Sequence, residues 1–153
     1  MEKQNNYFNT GAFIARFLNN AIFIENRIVQ IVTKNKLTIN DVKILYATGY
    51  LLEKKENQIK YLSNYLFITP AACSLSVNKL IKNNYIYIKK DKIDRRNNYL
   101  YLSSKAVETI NKINLYQLRL YNILIKKFDL EKVSSTIEVL KQLDEIMANS
   151  ELE

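Results

Sequence analysis

The 153-residue chain is 48% hydrophobic and 25% charged, a composition that supports a packed core and argues against disorder. It has no histidine, one cysteine (Cys73) and two isolated glycines, Gly11 and Gly49. That excludes histidine-based catalytic triads, a one-chain zinc constellation, an internal disulfide and a glycine-rich phosphate loop. The net charge is +8, and nearly all of it lies between Lys60 and Lys105, where nine Lys and Arg face only two acids, Asp91 and Asp94; charge gathered in one segment points to a polyanion partner through counterion release.

Residues 7–32 predict a long helix, with Phe13, Phe17, Ala21, Ile24, Ile28 and Ile31 at steps of three and four. Leu18, Ile22, Phe23 and Val32 widen its apolar arc, so the helix calls for more than one packing partner, and a second copy of the chain would supply one. Thr38 and Asp41 have the spacing of a capping box. A helix over 39–53 follows, with Val42, Leu45, Tyr46, Gly49 and Leu52 on one side. "EKKEN" reads as a polar connection, and 58–66 as a short helix through Ile59, Leu62 and Leu66.

Thr69 then suits an N-cap and Pro70 a first helical position, where its missing N–H costs nothing. The helix they open runs over 70–83, with Cys73, Val77 and Leu80 inward and Ser76 beside them. Ala71, Ser74, Leu75, Asn78 and Lys82 project the other way, with Lys79 at the edge. Asn83 and Asn84 end it, since asparagine tolerates the left-handed conformation. Strands at 85–90 and 98–103 bracket a short basic loop, with Ile86, Ile88, Leu100 and Leu102 on one face and tyrosines on the other. Ser103 or Ser104 caps a long helix over 104–127, and after a break near Asp129 a last helix covers 130–148. Few turn residues and no run of about 18 uncharged apolar residues leave a mainly α protein with no membrane span. The start, Met1-Glu2-Lys3-Gln4, lacks a cleavable signal pattern, and with one cysteine a cytoplasmic location is expected. The abundance of Asn, Ile, Lys and Tyr suits an AT-rich bacterial genome.

Helix, short turn, helix, then hairpin is the order of a winged helix-turn-helix, whose second helix lies in the major groove while the hairpin reaches sideways. A hairpin tip bearing Lys89, Lys90, Lys92, Arg95 and Arg96 suits the minor groove, where negative potential is focused.

The tip reads Asp91-Lys92-Ile93-Asp94-Arg95-Arg96, followed by Leu100-Tyr101-Leu102-Ser103. It resembles the wing of MarR-family transcription regulators, Asp-x-x-Asp-Arg-Arg and then Leu-x-Leu-Thr, with serine in place of the threonine cap. Segment 59–86 resembles that family's helix-turn-recognition-helix, and the likeness extends over about residues 10–148. The resemblance implies a single MarR-like domain over 1–153, with a winged helix-turn-helix lobe at 39–103. It implies a helical dimerisation region from 7–32 and 104–148, so a homodimer on a pseudo-palindromic double-stranded operator. It further implies a transcription regulator, expected to repress, that is released by a small apolar or anionic effector. No nucleophile–base pair or metal set can be written from the residues, so no cofactor and no enzymatic activity are expected. Arg96 matches the family's minor-groove arginine, and Asp94 the acid that braces the wing arginines. Ser74 and Asn78 are candidates for base edges; Lys79 and Lys82 for phosphates; Thr69, Ala71, Leu75, Lys92 and Arg95 complete the DNA-binding set. The chain departs from the family at Leu75, Ser76, Asn84 and Ala106. Leu75 leaves two options open: contact with a thymine methyl, or inward packing on a rotated helix. Cys73 reads as a small core residue rather than a reactive thiol. The tyrosines read as core, wing and surface packing, with an effector pocket as the other option. A winged-helix protein-interaction or RNA-binding module is the alternative function. The small, polar, lysine-bearing face of 71–82 suits a groove better than an aromatic-rich protein contact.

Overall fold

The computed structural model describes residues 19–90 and 98–148. The first helix, α1, covers 19–33; the expected turns over 7–18 lie outside the described residues. It is followed by α2 (Ile39–Glu53), α3 (Ile59–Tyr65), α4 (Pro70–Lys82), β1 (Ile86–Lys90), β2 (Asn98–Leu102), α5 (Ser104–Phe128) and α6 (Leu130–Ala148). The two strands pair antiparallel, Ile86 opposite Leu102 and Ile88 opposite Leu100. The fold is therefore mainly α with a two-stranded hairpin, and its order is that of a winged helix-turn-helix.

Local chemistry explains most boundaries. The capping box at α2 is present in full: the Asp41 N–H donates to Thr38 Oγ1, and Asp41 Oδ2 accepts from the Thr38 N–H. Thr69 Oγ1 accepts from the Ala72 N–H, with Pro70 in the first turn of α4. Asn84 ends that helix at φ 59°, a left-handed value that asparagine adopts at low cost. Ser103, not Ser104, caps α5, for its Oγ accepts from the Ala106 N–H.

The chain divides into two units at Asn114/Leu115. In the first, α2 packs against α3, α4 and β2. Because it is covered from several directions, its buried arc is wider than the expected single side. Val42, Ile44, Leu45, Ala47, Thr48 and Leu51 are all buried, whereas Tyr46 is exposed. The Tyr46 hydroxyl donates to Asn114 Oδ1, so the ring lies along the surface with its polar end satisfied. Gly49 faces β2, where a Cβ would meet Leu102 Cδ1 at 3.3 Å; a glycine here admits the close approach of helix and strand. Ile28, Val29, Leu37, Leu62, Cys73, Val77, Leu80, Tyr85, Ile86, Leu100, Ala106 and Ile113 complete the core. Ile88, expected to share the inward face with Ile86, is exposed, being nearer the loop end of the hairpin.

Asn57 belongs to the connection read as polar, yet it is buried. Its carbonyl accepts from the Leu100 N–H at 2.7 Å, and its side-chain amide donates to the Leu100 carbonyl at 2.7 Å. One residue thus pairs with the outer edge of β2 and leaves no backbone group of Leu100 unpaired there.

The second unit, from Leu115, comprises the end of α5 and α6. None of its described side chains is buried. Leu115, Leu118, Ile123, Phe128, Leu130, Ile137 and Val139 are all exposed. Tyr121, Leu124, Phe128, Lys132, Thr136 and Ile137 line an apolar groove of about 360 Å³.

Candidate nucleic-acid interface

The expected recognition helix, α4, has two opposed faces. Cys73, Val77 and Leu80 are 0% exposed; apolar burial of three side chains over two turns sets the rotation of the helix. Ala71, Leu75, Asn78 and Lys82 consequently fall on one outward stripe, at spacings of four, three and four, and all are exposed. Of the two options for Leu75, inward packing is ruled out, since 74% of it is exposed. Ser74 and Ser76 flank the stripe half-buried. Thr69 serves as the N-cap, so its hydroxyl lone pair is directed at the helix terminus.

Lys79 does not project freely. Its Nζ lies 2.6 Å from Asp41 Oδ2, an atom that also accepts from the Thr38 N–H and hydroxyl, each at 2.8 Å. Asp41 is 3% exposed. Burial alone raises its pKa, but the Lys79 ammonium and the two Thr38 donors outweigh it and hold the carboxyl below its ordinary value. One carboxylate therefore caps α2 and ties α4 to it. The capping role of Asp41 is legible in the local spacing; the tie to Lys79, 38 residues on, has no local signal.

The C-terminal end of α4 is held just as specifically. The Asn83 amide donates to the Lys79 carbonyl, the Ser103 hydroxyl to the Asn84 carbonyl at 2.7 Å, and Lys105 Nζ to the Asn83 carbonyl at 2.7 Å. The same ammonium lies 4.2 Å from the centroid of the Tyr85 ring. The first residues of α5 thus position the last residues of α4. Lys105 belongs to the basic segment, but nothing in that segment's pattern points to its contact with Tyr85.

On the hairpin, Tyr87 and Tyr101 are cross-strand partners with ring centroids 5.5 Å apart and planes 18° apart. Lys89 Nζ stands 4.8 Å from the Tyr101 centroid and 5.6 Å from that of Tyr87. The expected face of tyrosines is therefore present and carries a cation. The tip residues Lys92, Asp94, Arg95 and Arg96 lie outside the described residues.

Cys73 is fully buried, and burial pushes its thiol up. Among the described residues no helix is long and apolar enough to cross a membrane.

Residues 27–113 match the family model described as transcriptional regulator SarA/Rot. Similar solved structures include FabT of Streptococcus pneumoniae in complex with DNA. It is 18% identical, the match covers 94% of this chain and 98% of that one, and the TM-score is 0.74. BldR of Sulfolobus solfataricus, a transcriptional regulator, is 25% identical over 97% and 99% of the two chains, with a TM-score of 0.65. MarR of Staphylococcus aureus, in complex with salicylate and kanamycin, is 20% identical over 95% and 93%, with a TM-score of 0.68. The fold is that of the MarR-type winged helix. No curated protein matches the chain significantly.

Proposed function

This chain belongs to the SarA/Rot family of transcriptional regulators, and we propose that it works as a homodimer that grips a pseudo-palindromic operator and represses by occupying it. The observation that carries this reading is the outward stripe of α4, Ala71, Leu75, Asn78 and Lys82. It is presented by a helix whose opposite face is fully buried, inside the segment that holds almost the whole net charge. A helix anchored at both ends and free on one face is suited to a major groove. In this reading Ser74 and Asn78 approach base edges, Lys82 a phosphate, and Lys79 a phosphate only by leaving Asp41. Thr69 and Ala71 lie where the helix enters. Lys92, Arg95 and Arg96 of the wing reach the minor groove, braced by Asp94.

The homodimer is supported by the terminal helices. Ile22, Phe23, Ile24 and Ile31 of α1 are exposed, as are the apolar residues of the second unit. So much apolar surface marks an association face. Residues 7–32 and 104–148 would form it, and 39–103 the DNA-binding lobe. A small anionic or apolar effector fits the same scheme, as salicylate is bound by the Staphylococcus aureus relative. Binding better to a state with mis-spaced recognition helices, it would lower DNA affinity by the same coupling free energy. The runner-up is a winged-helix protein-interaction or RNA-binding module; its RNA-binding form draws on Tyr87, Tyr101 and Lys89, since stacked aromatics with a cation suit unpaired bases.

The test is selection from a pool of random duplex DNA with purified protein at about physiological salt. The expected product is an inverted repeat with half-sites about one helical turn apart, bound by two copies of the chain. Salt-sensitive binding with no enriched sequence would overturn the operator reading and favour the runner-up.

A further inference from the structure

On the same α4 stripe, Leu75 is out of place. Leaving a leucine 74% exposed forgoes most of the stabilisation its burial would give. Most of the other widely exposed aliphatic residues lie on α1, α5 and α6, the helices assigned to dimerisation. Leu75 lies in the basic segment, one turn into α4, between Ala71 and Asn78. A shallow groove of about 520 Å³ runs from it along the helix, lined by Leu75, Asn78, Lys79, Ile81, Lys82 and Asn83. Four of those side chains are amides or cations that suit a polyanion, and Lys79 among them is drawn aside by Asp41 at 2.6 Å. What fills the groove is therefore anionic overall but must offer an apolar group to Leu75.

The base edges of the major groove present only one such group, the C5-methyl of thymine; the rest are hydrogen-bond donors and acceptors. A leucine pressed on those would strip their water without replacing it, at a real cost. We infer that Leu75 is a specificity residue that reads thymine, its isobutyl group closing on the C5-methyl. This rests on the reading of α4 as the recognition helix. The selectivity has two sides: a methyl is rewarded, and a polar edge at the same place is penalised. Asn78, one turn further on, offers the paired donor and acceptor that match an adenine edge.

The experiment uses the full chain and the tightest duplex from a random-pool selection, resynthesised with deoxyuridine at one thymine at a time. Deoxyuridine keeps the pairing and removes only the methyl. Wild type is expected to lose about fourfold in affinity at one thymine in each half-site, the factor for one buried carbon, and to lose little elsewhere. Leu75→Ala, a change at an exposed position that leaves the core untouched, should bind thymine and deoxyuridine duplexes equally at that position. Placing 5-methylcytosine there should bind better than cytosine for wild type and not for the variant. Equal wild-type affinity for all the deoxyuridine duplexes would overturn the inference while leaving DNA binding intact. An undiminished thymine preference in Leu75→Ala would overturn the assignment to Leu75. A selection that enriches no duplex would overturn the operator reading, and this inference with it.

Discussion

Replacing Asp41 with asparagine tests whether one carboxylate both caps α2 and anchors α4. Oδ2 accepts from the Thr38 N–H and hydroxyl at 2.8 Å and from Lys79 Nζ at 2.6 Å. The amide oxygen of the new side chain would keep one Thr38 bond and lose the charge. A hydrogen bond to a charged buried group contributes about 1.5–3 kcal/mol. The Lys79 end is discounted to about 1 kcal/mol or less, because half of that side chain is in water. With the cap weakened rather than removed, the loss should be about 2 kcal/mol. Urea unfolding at pH 7 reads it as a lower midpoint with an unchanged slope, at matched protein concentration so that association does not enter. The pH dependence gives a second readout. The folded pKa of Asp41 lies below its ordinary value of 3.8. Its stabilisation is therefore complete above the unfolded pKa and is lost as pH falls through the lowered folded value. The gap between wild type and Asp41→Asn should be constant from pH 7 to about pH 5 and close below pH 3.8. A loss under about 0.5 kcal/mol, the level of an ordinary surface substitution, would refute the reasoning, as would a gap that does not close in acid.

Phe67, in the turn before α4, has φ 52° and is 96% exposed. Left-handed backbone costs an L-residue about 1–2 kcal/mol, and the extra freedom of unfolded glycine offsets about half of that. Phe67→Gly should therefore stabilise the fold by about 0.5–1 kcal/mol and raise the thermal midpoint by a few degrees; a lower midpoint would show that the ring packs. Cys73 is 0% exposed with its thiol raised by burial. A thiol reagent at mildly alkaline pH should label it only as fast as the chain unfolds, and at once in urea. Fast labelling of the native protein would contradict the buried assignment.

Features that depend on neighbours within about a turn of helix are legible before any fold is known. The Thr38–Asp41 box, the Thr69-Pro70 start, the left-handed Asn84 and the inward stripe of Cys73, Val77 and Leu80 are of this kind. Each is decided by hydrogen bonds or side-chain spacing within a turn or two of chain, and those are written in the residues themselves. For the cap of α5 the local pattern leaves two serines, because either hydroxyl has a plausible N–H nearby. What chooses Ser103 is its second bond, to the Asn84 carbonyl, which requires the hairpin to have brought the two together. The buried arc of α2 is wider than its pattern indicates for a related reason. Periodicity assumes one covered side, whereas α3, α4 and β2 bury Ile44, Ala47, Thr48 and Leu51 as well.

The sequence by itself determined the element order, most caps, the basic segment and the inward stripe of α4. Those follow from local backbone chemistry, from composition and from the helical period of about 3.6 residues. Only the tertiary structure decided that Leu75 stands in solvent, that Asn57 pairs with Leu100, that Lys105 covers Tyr85 and that Lys79 is held by Asp41. Asn57 and Leu100 are 43 residues apart and Asp41 and Lys79 are 38 apart, and no local pattern selects one distant partner over another. The selection is made by packing: once Cys73, Val77 and Leu80 are buried, α4 has a single rotation, and every polar group at its ends must take the partner that rotation puts within reach.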